Sequence, residues 1–276
     1  MIRAPFEREV EGRRVRGEVH VPDGPPPRSV VVVAHGFKGF KDWGFFPWVC
    51  RRLAGAGHAV VSFNFSGSGI GADPERFTDL EAFAANTLSR EVEELGSVVG
   101  WVAEGALTPR RPDRLGLLGH SRGGGDAILV ARERPEVDAL VTWSAVATFD
   151  RWSAATRAEW RSGGRLYVPN KRTGQQMPLD VGLLEDLEAN RDRLDVGAAA
   201  AEVAVPWLIV HGAADETVPV EEGEELAQRS AGARLHRVEE AGHTFGAGHP
   251  FDGPGPWLED AMEATLRHFR AHAFRE

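Results

Sequence analysis

The sequence predicts an α/β protein built on a mostly parallel, doubly wound sheet, with an antiparallel hairpin at its N-terminal edge and an inserted cap. Runs of consecutive β-branched residues, as at 29–35, suit strands that are buried on both faces. These runs alternate with helix-like segments, the order expected for parallel strands joined by crossover helices. Residues 7–21 instead resemble two short paired strands, which indicates the edge hairpin.

The hairpin is the first element, and it turns at Glu11 and Gly12 before the proline-rich loop 22–29. Apolar, β-branched runs then predict the core strands, and the segments between them predict helices. The predicted strands are 29–35, 59–65, 114–120, 138–144, 206–212 and 233–239, and the predicted helices are 48–58, 79–100, 122–134, 221–231 and 257–272.

Residues 145–204 interrupt this alternation between two core strands. A structureless stretch of that length is uncommon inside a domain, so we expect a small cap inserted over the sheet. The predicted organisation is a first core segment 1–144, the cap at 145–204 and a second core segment 205–276.

The composition is that of an ordinary globular protein. Of the 276 residues, 42% are hydrophobic and 26% are charged, and the formal net charge is -9. A protein with this charge and a pI near 5.6 lacks the positive field that binds phosphate backbones. Nucleic acid is therefore not an expected partner, and the oligomeric state cannot be read from composition.

Compartment and membrane association can be judged from three features. The single cysteine, Cys50, excludes an intrachain disulfide and suits a reducing compartment. The N-terminal residues contain no apolar core of a signal peptide. The longest apolar run, 30–34, is too short to cross a bilayer. We therefore expect a cytoplasmic protein without a membrane partner.

Cofactor and metal sites are not expected. The segment 67–72 fits G-x-G-x-x-A, but a dinucleotide site would need a helix to begin there, and 73–76 read Asp-Pro-Glu-Arg instead. No histidine pair with metal-ligand spacing occurs.

A candidate nucleophile, Ser121, lies in the G-x-S-x-G pattern of 119–123. This pattern forms a sharp strand-to-helix turn that exposes the serine, and here it follows a buried strand and opens a helix. A serine hydroxyl is a weak nucleophile at neutral pH, so it needs an imidazole as base and a third group to orient that imidazole.

Asp215 and His243 are the candidates for those two roles. Each comes just after a buried strand, and loops after parallel strands converge at one edge of the sheet. The chain order Ser, Asp, His is that of α/β-hydrolases. The competing acids are Glu216, Glu239 and Glu240, and the competing bases are His211 and His249. For His211, at a strand end, a structural hydrogen-bonding role is favoured.

Acyl transfer also requires donors for the oxyanion of the tetrahedral intermediate. One is predicted to be the backbone N–H of Arg122, directly after the nucleophile. The other is predicted to be the N–H of Phe37, in the loop after the first core strand.

The segments HGFKG, GHSRGG, HGAADETVP and GHTF, in this order, resemble the α/β-hydrolase superfamily, and more narrowly the bacterial feruloyl and cinnamoyl esterases and the dienelactone-hydrolase-like group. The resemblance covers about 28–270 and is weakest in the cap. It implies the α/β-hydrolase fold, Ser121, Asp215 and His243 as a triad, no cofactor and the hydrolysis of carboxylic esters. The nucleophile is a serine and not the cysteine of dienelactone hydrolases.

The expected function is thus hydrolysis of a small-molecule ester by a serine carboxylesterase-type enzyme. The alternatives are a peptidase or acyltransferase with the same triad, and a non-catalytic ligand-binding protein on this fold. The aromatic cap residues Trp152, Trp160 and Tyr167 either wall an apolar pocket or pack the cap against the core. The remaining candidates for the pocket wall are His120 and His249.

Overall fold

The secondary structure is that of a computed structural model, which describes residues 1–272. The strands are β1 (Ile2–Val10), β2 (Arg13–Val21), β3 (Ser29–Ala34), β4 (Ala59–Asn64), β5 (Arg114–His120), β6 (Ala139–Trp143), β7 (Arg165–Pro169), β8 (Gln176–Asp180), β9 (Trp207–Gly212) and β10 (Ala233–Val238). The helices are α1 (Phe46–Gly55), α2 (Leu80–Ala84), α3 (Leu88–Ala103), α4 (Arg122–Glu133), α5 (Ala154–Gly163), α6 (Gly182–Ala189), α7 (Val196–Glu202), α8 (Val220–Arg229) and α9 (Pro256–His272).

The main sheet has eight strands in the order β1-β2-β4-β3-β5-β6-β9-β10. From β4 to β10 all neighbouring strands are parallel, whereas β1 pairs antiparallel with β2 and β2 pairs antiparallel with β4. The predicted mostly parallel sheet with an N-terminal hairpin at its edge is confirmed.

Helices cover both faces of this sheet because its central strands are apolar on both sides. Every residue of β3 is buried, as the run of four valines predicts. Helices α1 and α9 contact each other and lie on one face, while α4 contacts both α3 and α7 on the other. Glycine allows α9 to approach β5, because a Cβ atom at Gly116 of β5 would lie 2.7 Å from the Phe269 ring of α9.

The helix predicted over 79–100 is wrong in one respect: the chain forms two helices there, α2 and α3. Asp79 accepts a hydrogen bond from the Ala82 N–H at the start of α2, and Thr87 accepts one from the Arg90 N–H at the start of α3. Two side-chain N-caps eight residues apart begin two separate helices, which pattern alone does not distinguish from one.

The segment 145–204 contains α5, the β7–β8 hairpin, α6 and α7. The hairpin forms its own two-stranded antiparallel sheet, in which Arg165 pairs with Asp180, and β8 contacts α2. Helix α7 packs against α4 and α8 and so belongs to a helical layer of the main sheet. The division of the chain at 145 and 204 stays a prediction.

Trp160 is the centre of packing in this segment. Its ring is fully buried, its Nε1 donates to the Leu179 carbonyl over 2.8 Å, and its centroid lies 5.0 Å from that of Trp152. An indole that is both buried and hydrogen-bonded joins α5 to β8. Tyr167, on the neighbouring strand, is 56% exposed.

We expect Trp160→Ala to lower the free energy of unfolding by about 3–5 kcal/mol, because a large buried side chain and its hydrogen bond are lost. Tyr167→Ala, in the same segment, is the matched control and should change it by less than about 0.5 kcal/mol. Equilibrium urea unfolding of both variants measures this, and equal effects would contradict the packing role of Trp160.

Candidate active site

The turn that carries Ser121 joins β5 to α4 in a strained conformation. Ser121 has φ +59° and ψ −122°, a region that residues with a side chain rarely adopt. A Cβ atom at Gly119 would lie 2.2 Å from the carbonyl oxygen of Gly123, and one at Gly123 would lie 2.3 Å from that of His35. Glycine is therefore required on both sides of the serine, as the motif predicts.

The structure brings Ser121, His243 and Asp215 into one hydrogen-bonded line. His243, in the loop after β10, has its Nε2 3.0 Å from the Ser121 Oγ and its Nδ1 2.7 Å from the Asp215 Oδ2. Asp215, in the loop after β9, accepts two further hydrogen bonds through Oδ1, from the N–H groups of Thr217 and Val218. These two donors hold the carboxylate in place.

The charge of Asp215 determines which nitrogen of His243 carries the proton. Burial by itself raises the pKa of Asp215, but the hydrogen bond and charge of His243 and the two backbone donors outweigh it and leave the pKa below its ordinary value. The ionised carboxylate can only accept, so Nδ1 of His243 is the donor. In the neutral ring Nε2 is then an acceptor that faces the serine hydroxyl.

Two buried histidines contact the backbone of the loops that carry His243 and Asp215. The His120 Nε2 donates to the His243 carbonyl over 3.0 Å, and burial, followed by the charge of His243, lowers the pKa of His120 to about 3. The His211 Nε2 donates to the Val218 carbonyl over 2.9 Å. Both rings are buried and make backbone contacts, which matches the structural role favoured for His211.

The competing acids and His249 do not take part in the hydrogen-bonded line of Ser121, His243 and Asp215. Glu216, Glu239 and Glu240 are all exposed, and none of them contacts the imidazole of His243 among the contacts of residues 1–272. His249 accepts a hydrogen bond from the Gly44 N–H through Nδ1 over 3.0 Å and lines the cavity beside the serine.

The loop after β3 passes directly beside the serine turn. A Cβ atom at Gly36 would lie 2.8 Å from the Ser121 Cβ and 3.3 Å from the Arg122 nitrogen. The Arg122 guanidinium stacks on the Phe37 ring at 4.0 Å from its centroid and lies 3.7 Å from Glu91. The two residues predicted to supply oxyanion donors are thus joined through their side chains.

A cavity of about 740 Å³ opens beside Ser121 and His243. It lies between the core loops after β3 and β10 and the tip of the β7–β8 hairpin. Its wall contains His120 and His249, two of the candidates for the pocket, and also residues that sequence reasoning did not single out. The additional wall residues with large or charged side chains are Lys38, Trp43, Phe46, Lys171 and Arg172.

For the aromatic residues of the segment 145–204 two alternatives were open, and their contacts favour packing over a place in the cavity wall. Trp152, Trp160 and Tyr167 are not among its lining residues. Trp152 and Trp160 pack on each other inside the cap, and Tyr167 is exposed. The hairpin approaches the cavity with its tip, residues 169–172, so the polar turn forms the wall and the aromatic residues do not.

Two buried carboxyl groups lie behind the serine turn. Asp126, one turn after Arg122 on α4, is fully buried, and within residues 1–272 neither of its carboxyl oxygens has a hydrogen-bond partner. Glu91 accepts from the Asn86 Nδ2 over 2.7 Å. Burial, followed by the charge of Glu91, raises the pKa of Asp126 well above its ordinary value. Burial also raises the pKa of Glu91, but the charge of Arg122 and the Asn86 hydrogen bond oppose this effect. We therefore expect Asp126 to be the member of the pair that holds a proton.

Metal-binding clusters and membrane-spanning helices are both absent from the described part of the chain. No group of three or more His, Cys, Asp or Glu side chains within 1–272 is arranged to hold a metal ion. No helix in that range combines the length and apolar character needed to span a bilayer. After the glycine-rich segment 67–72 the next helix, α2, begins only at Leu80.

Comparison with known proteins identifies relatives of this architecture. The model of the alpha/beta hydrolase family matches residues 31–260. The 2,6-dihydropseudooxynicotine hydrolase of Paenarthrobacter nicotinovorans is 25% identical over 78% of this chain, which spans only 53% of that relative's length. A monoacylglycerol lipase of Mycolicibacterium smegmatis is 28% identical over 82% of this chain and 84% of its own.

A solved structure shows the same fold. Est1E from Butyrivibrio proteoclasticus superposes with a TM-score of 0.68 at 20% identity, over 95% of this chain and 96% of that one. Another structure of that protein has ferulic acid bound. The fold and the resemblance predicted from the sequence are confirmed.

Because Asp126 is held protonated, we expect Asp126→Asn to stabilise the protein increasingly as pH rises. Above about pH 4 the unfolded chain loses this proton while the folded chain keeps it, so the wild type loses stability up to the raised pKa. Between pH 5 and pH 8 the free energy of unfolding of the variant should rise relative to that of the wild type. The expected rise is about 1.4 kcal/mol for each pH unit over which the folded wild type keeps this proton.

Urea unfolding at both pH values measures this difference. Asp252→Asn, at an exposed position, is the control and should show no such trend. A difference between Asp126→Asn and the wild type that is the same at both pH values would contradict the protonated state of Asp126.

Proposed function

The chain belongs to the alpha/beta hydrolase family, and from that premise we propose that it is a serine hydrolase that cleaves carboxylic esters through an acyl-enzyme on Ser121. The observation that carries the proposal is the continuous line from the Ser121 Oγ to the His243 Nε2 and from the His243 Nδ1 to the Asp215 carboxylate. Such a line converts a weak hydroxyl nucleophile into a reactive one.

In the first half of the reaction Ser121 attacks the ester carbonyl. His243 takes the hydroxyl proton on Nε2, and the new bond to Oγ leaves a negative charge on the former carbonyl oxygen. Collapse of this intermediate breaks the ester bond, and the imidazolium returns the proton to the leaving alcohol. The product of this half is an acyl group on Ser121 and a free alcohol.

In the second half water takes the place of the alcohol. His243 accepts a proton from water as the oxygen attacks the acyl carbonyl, and then returns it to Ser121 as the acid leaves. Asp215 stays ionised throughout and stabilises the imidazolium, which suits a carboxylate held by two backbone N–H groups.

The oxyanion is assigned to the backbone N–H groups of Phe37 and Arg122. Donors of this kind are effective when they are held in position before the reaction begins. The Arg122 guanidinium stacks on the Phe37 ring and so joins the serine turn to the loop after β3. Its ion pair with Glu91 joins the same side chain to α3. We therefore assign the Arg122 side chain a positioning role.

The ester substrate class is supported by the names of relatives, among them the monoacylglycerol lipase. A small molecule fits a cavity of about 740 Å³ beside the serine. A peptidase or acyltransferase would use the same three residues. Hydrolysis of p-nitrophenyl esters indicates an esterase, and hydrolysis of peptide p-nitroanilides indicates a peptidase. Transfer of the acyl group to an added acceptor indicates an acyltransferase. A cytoplasmic location stays a prediction.

Replacing either Ser121 or His243 by alanine should lower kcat for an ester by about four to six orders of magnitude, because the two act as a unit. A fluorophosphonate probe should label the wild type but not Ser121→Ala, as mass spectrometry of the intact protein would show. This labelling distinguishes a hydrolase from a non-catalytic ligand-binding protein.

The controls are Ser153→Ala, at an exposed helix cap, and His236→Ala, whose ring pairs with Asp260 at the surface. Both should retain activity within about threefold of the wild type. A loss below tenfold in Ser121→Ala would show that another residue is the nucleophile.

A further inference from the structure

The wall of the cavity beside Ser121 is positively charged, although the chain as a whole is acidic. The protein carries 41 acidic and 32 basic residues. Yet the cavity wall contains three cationic side chains, Lys38, Lys171 and Arg172, and no Asp or Glu among its lining residues. Lys38 directly follows the loop residue Phe37, and the other two lie at the tip of the cap hairpin. The core and the cap therefore both contribute positive charge.

Within the described residues these cations have no carboxylate partner. Among residues 1–272, no ion pair involves Lys38, Lys171 or Arg172, although most other arginines of the chain form one. The Lys38 Nζ donates to the Pro169 carbonyl over 3.1 Å. The Arg172 guanidinium donates to the Lys38 carbonyl and stacks over Trp43 at 4.6 Å from its ring centroid. Neutral carbonyls and an aromatic face orient the cations without cancelling their charge.

Burial and neighbouring positive charges both act on Lys38. Burial, followed by the charges of Arg172, Arg122 and Lys171, lowers the pKa of the Lys38 ammonium. Like charges held close to each other without a counterion cost free energy, which a bound anion would offset. The charge of Glu75 acts on His249 in the same wall, but among residues 1–272 Glu75 forms no ion pair with the three cations.

Asn170 adds a buried amide group to the same wall. It lies between Pro169 and Lys171, lines the same cavity and is 2% exposed. Its Oδ1 accepts from the Arg172 N–H over 3.2 Å, whereas its Nδ2 has no hydrogen-bond partner in the described residues. A buried donor without an acceptor is costly, so this amide is suited to an acceptor brought by a ligand.

We propose that the substrate is an ester that carries a carboxylate, and that Lys38, Arg172 and Lys171, aided by the Asn170 amide, bind this carboxylate while Ser121 attacks the ester carbonyl. This inference rests on the proposed function and names its substrate class. A guanidinium pairs with a carboxylate through two parallel hydrogen bonds, and a lysine adds a compact charge. The carboxylate belongs either to the acyl part or to the alcohol part of the ester.

Two matched substrate pairs test the proposal and separate these two sources. For the acyl part, the mono-p-nitrophenyl ester of glutaric acid is compared with its methyl-capped, neutral counterpart. For the alcohol part, 4-acetoxybenzoate is compared with its methyl ester. In the wild type we expect kcat/KM for the anionic member of one pair to exceed that of its neutral partner by about tenfold or more, and added salt should reduce this preference.

Arg172→Gln and Lys38→Gln should each lower kcat/KM for the preferred anionic ester by about 10- to 100-fold, mainly through KM, because hydrogen bonds to a charged group are lost. The neutral partner should change by less than about threefold, and Arg172→Lys should recover part of the loss. Arg229→Gln, an arginine on α8 outside the cavity, is the matched control and should leave both esters unaffected. A purely structural role of Arg172 would instead lower both esters alike.

Equal kcat/KM for both members of both pairs would overturn the carboxylate site and leave the esterase proposal intact. Absence of turnover for all four esters would overturn the esterase proposal. In that case the anion site is tested by calorimetry, as the dissociation constant of monomethyl glutarate. The two proteins compared are the single variant Ser121→Ala and the double variant Ser121→Ala with Arg172→Gln. At least tenfold weaker binding in the double variant supports the site, and equal binding overturns it.

Discussion

The close packing of backbone at the turn after β5 is the constraint on which the rest of the site depends. Gly119 and Gly123 leave no room for a Cβ atom against neighbouring carbonyl oxygens, and Gly36 leaves none against Ser121 itself. Only such close contact allows Ser121 to hold a positive φ and to project its hydroxyl from the edge of the sheet. The strain at one residue is compensated by the many contacts of the buried strands around it.

The parallel strands then bring the partners of Ser121 to the same edge. The loops after β9 and β10 place Asp215 and His243 in hydrogen-bonding positions, and buried histidines such as His120 hold the loops through backbone carbonyls. The carboxylate keeps its charge because backbone donors and His243 outweigh the effect of burial. Asp126, five residues after Ser121 on α4, has no such donors, and its pKa is shifted in the opposite direction. Burial is the largest single influence on both carboxyl groups, and only at Asp215 do the hydrogen bonds and the charge of His243 together outweigh it.

The segment 145–204 contributes charged side chains, and not aromatic ones, to the cavity wall. Its tryptophans are used for its own packing, and its hairpin directs a polar turn towards the serine. Lys171 and Arg172 therefore meet Lys38 from the core at one cavity, although they are far apart in sequence. A carboxylate on the substrate would be the counterion that this arrangement lacks, and the ester chemistry at Ser121 would proceed beside it.

The sequence by itself predicted the order of the core strands, their burial in the centre of the sheet, and three candidate site residues at strand ends, because hydrophobic runs and turn glycines are local signals. It did not reveal the break before Thr87, where two N-caps lie inside one apparent helical pattern. It left open whether Trp160 packs or lines a pocket, and it could not place Arg172 beside Lys38. Those outcomes depend on how the cap hairpin is oriented over the sheet, and contacts between residues more than a hundred positions apart decide that orientation.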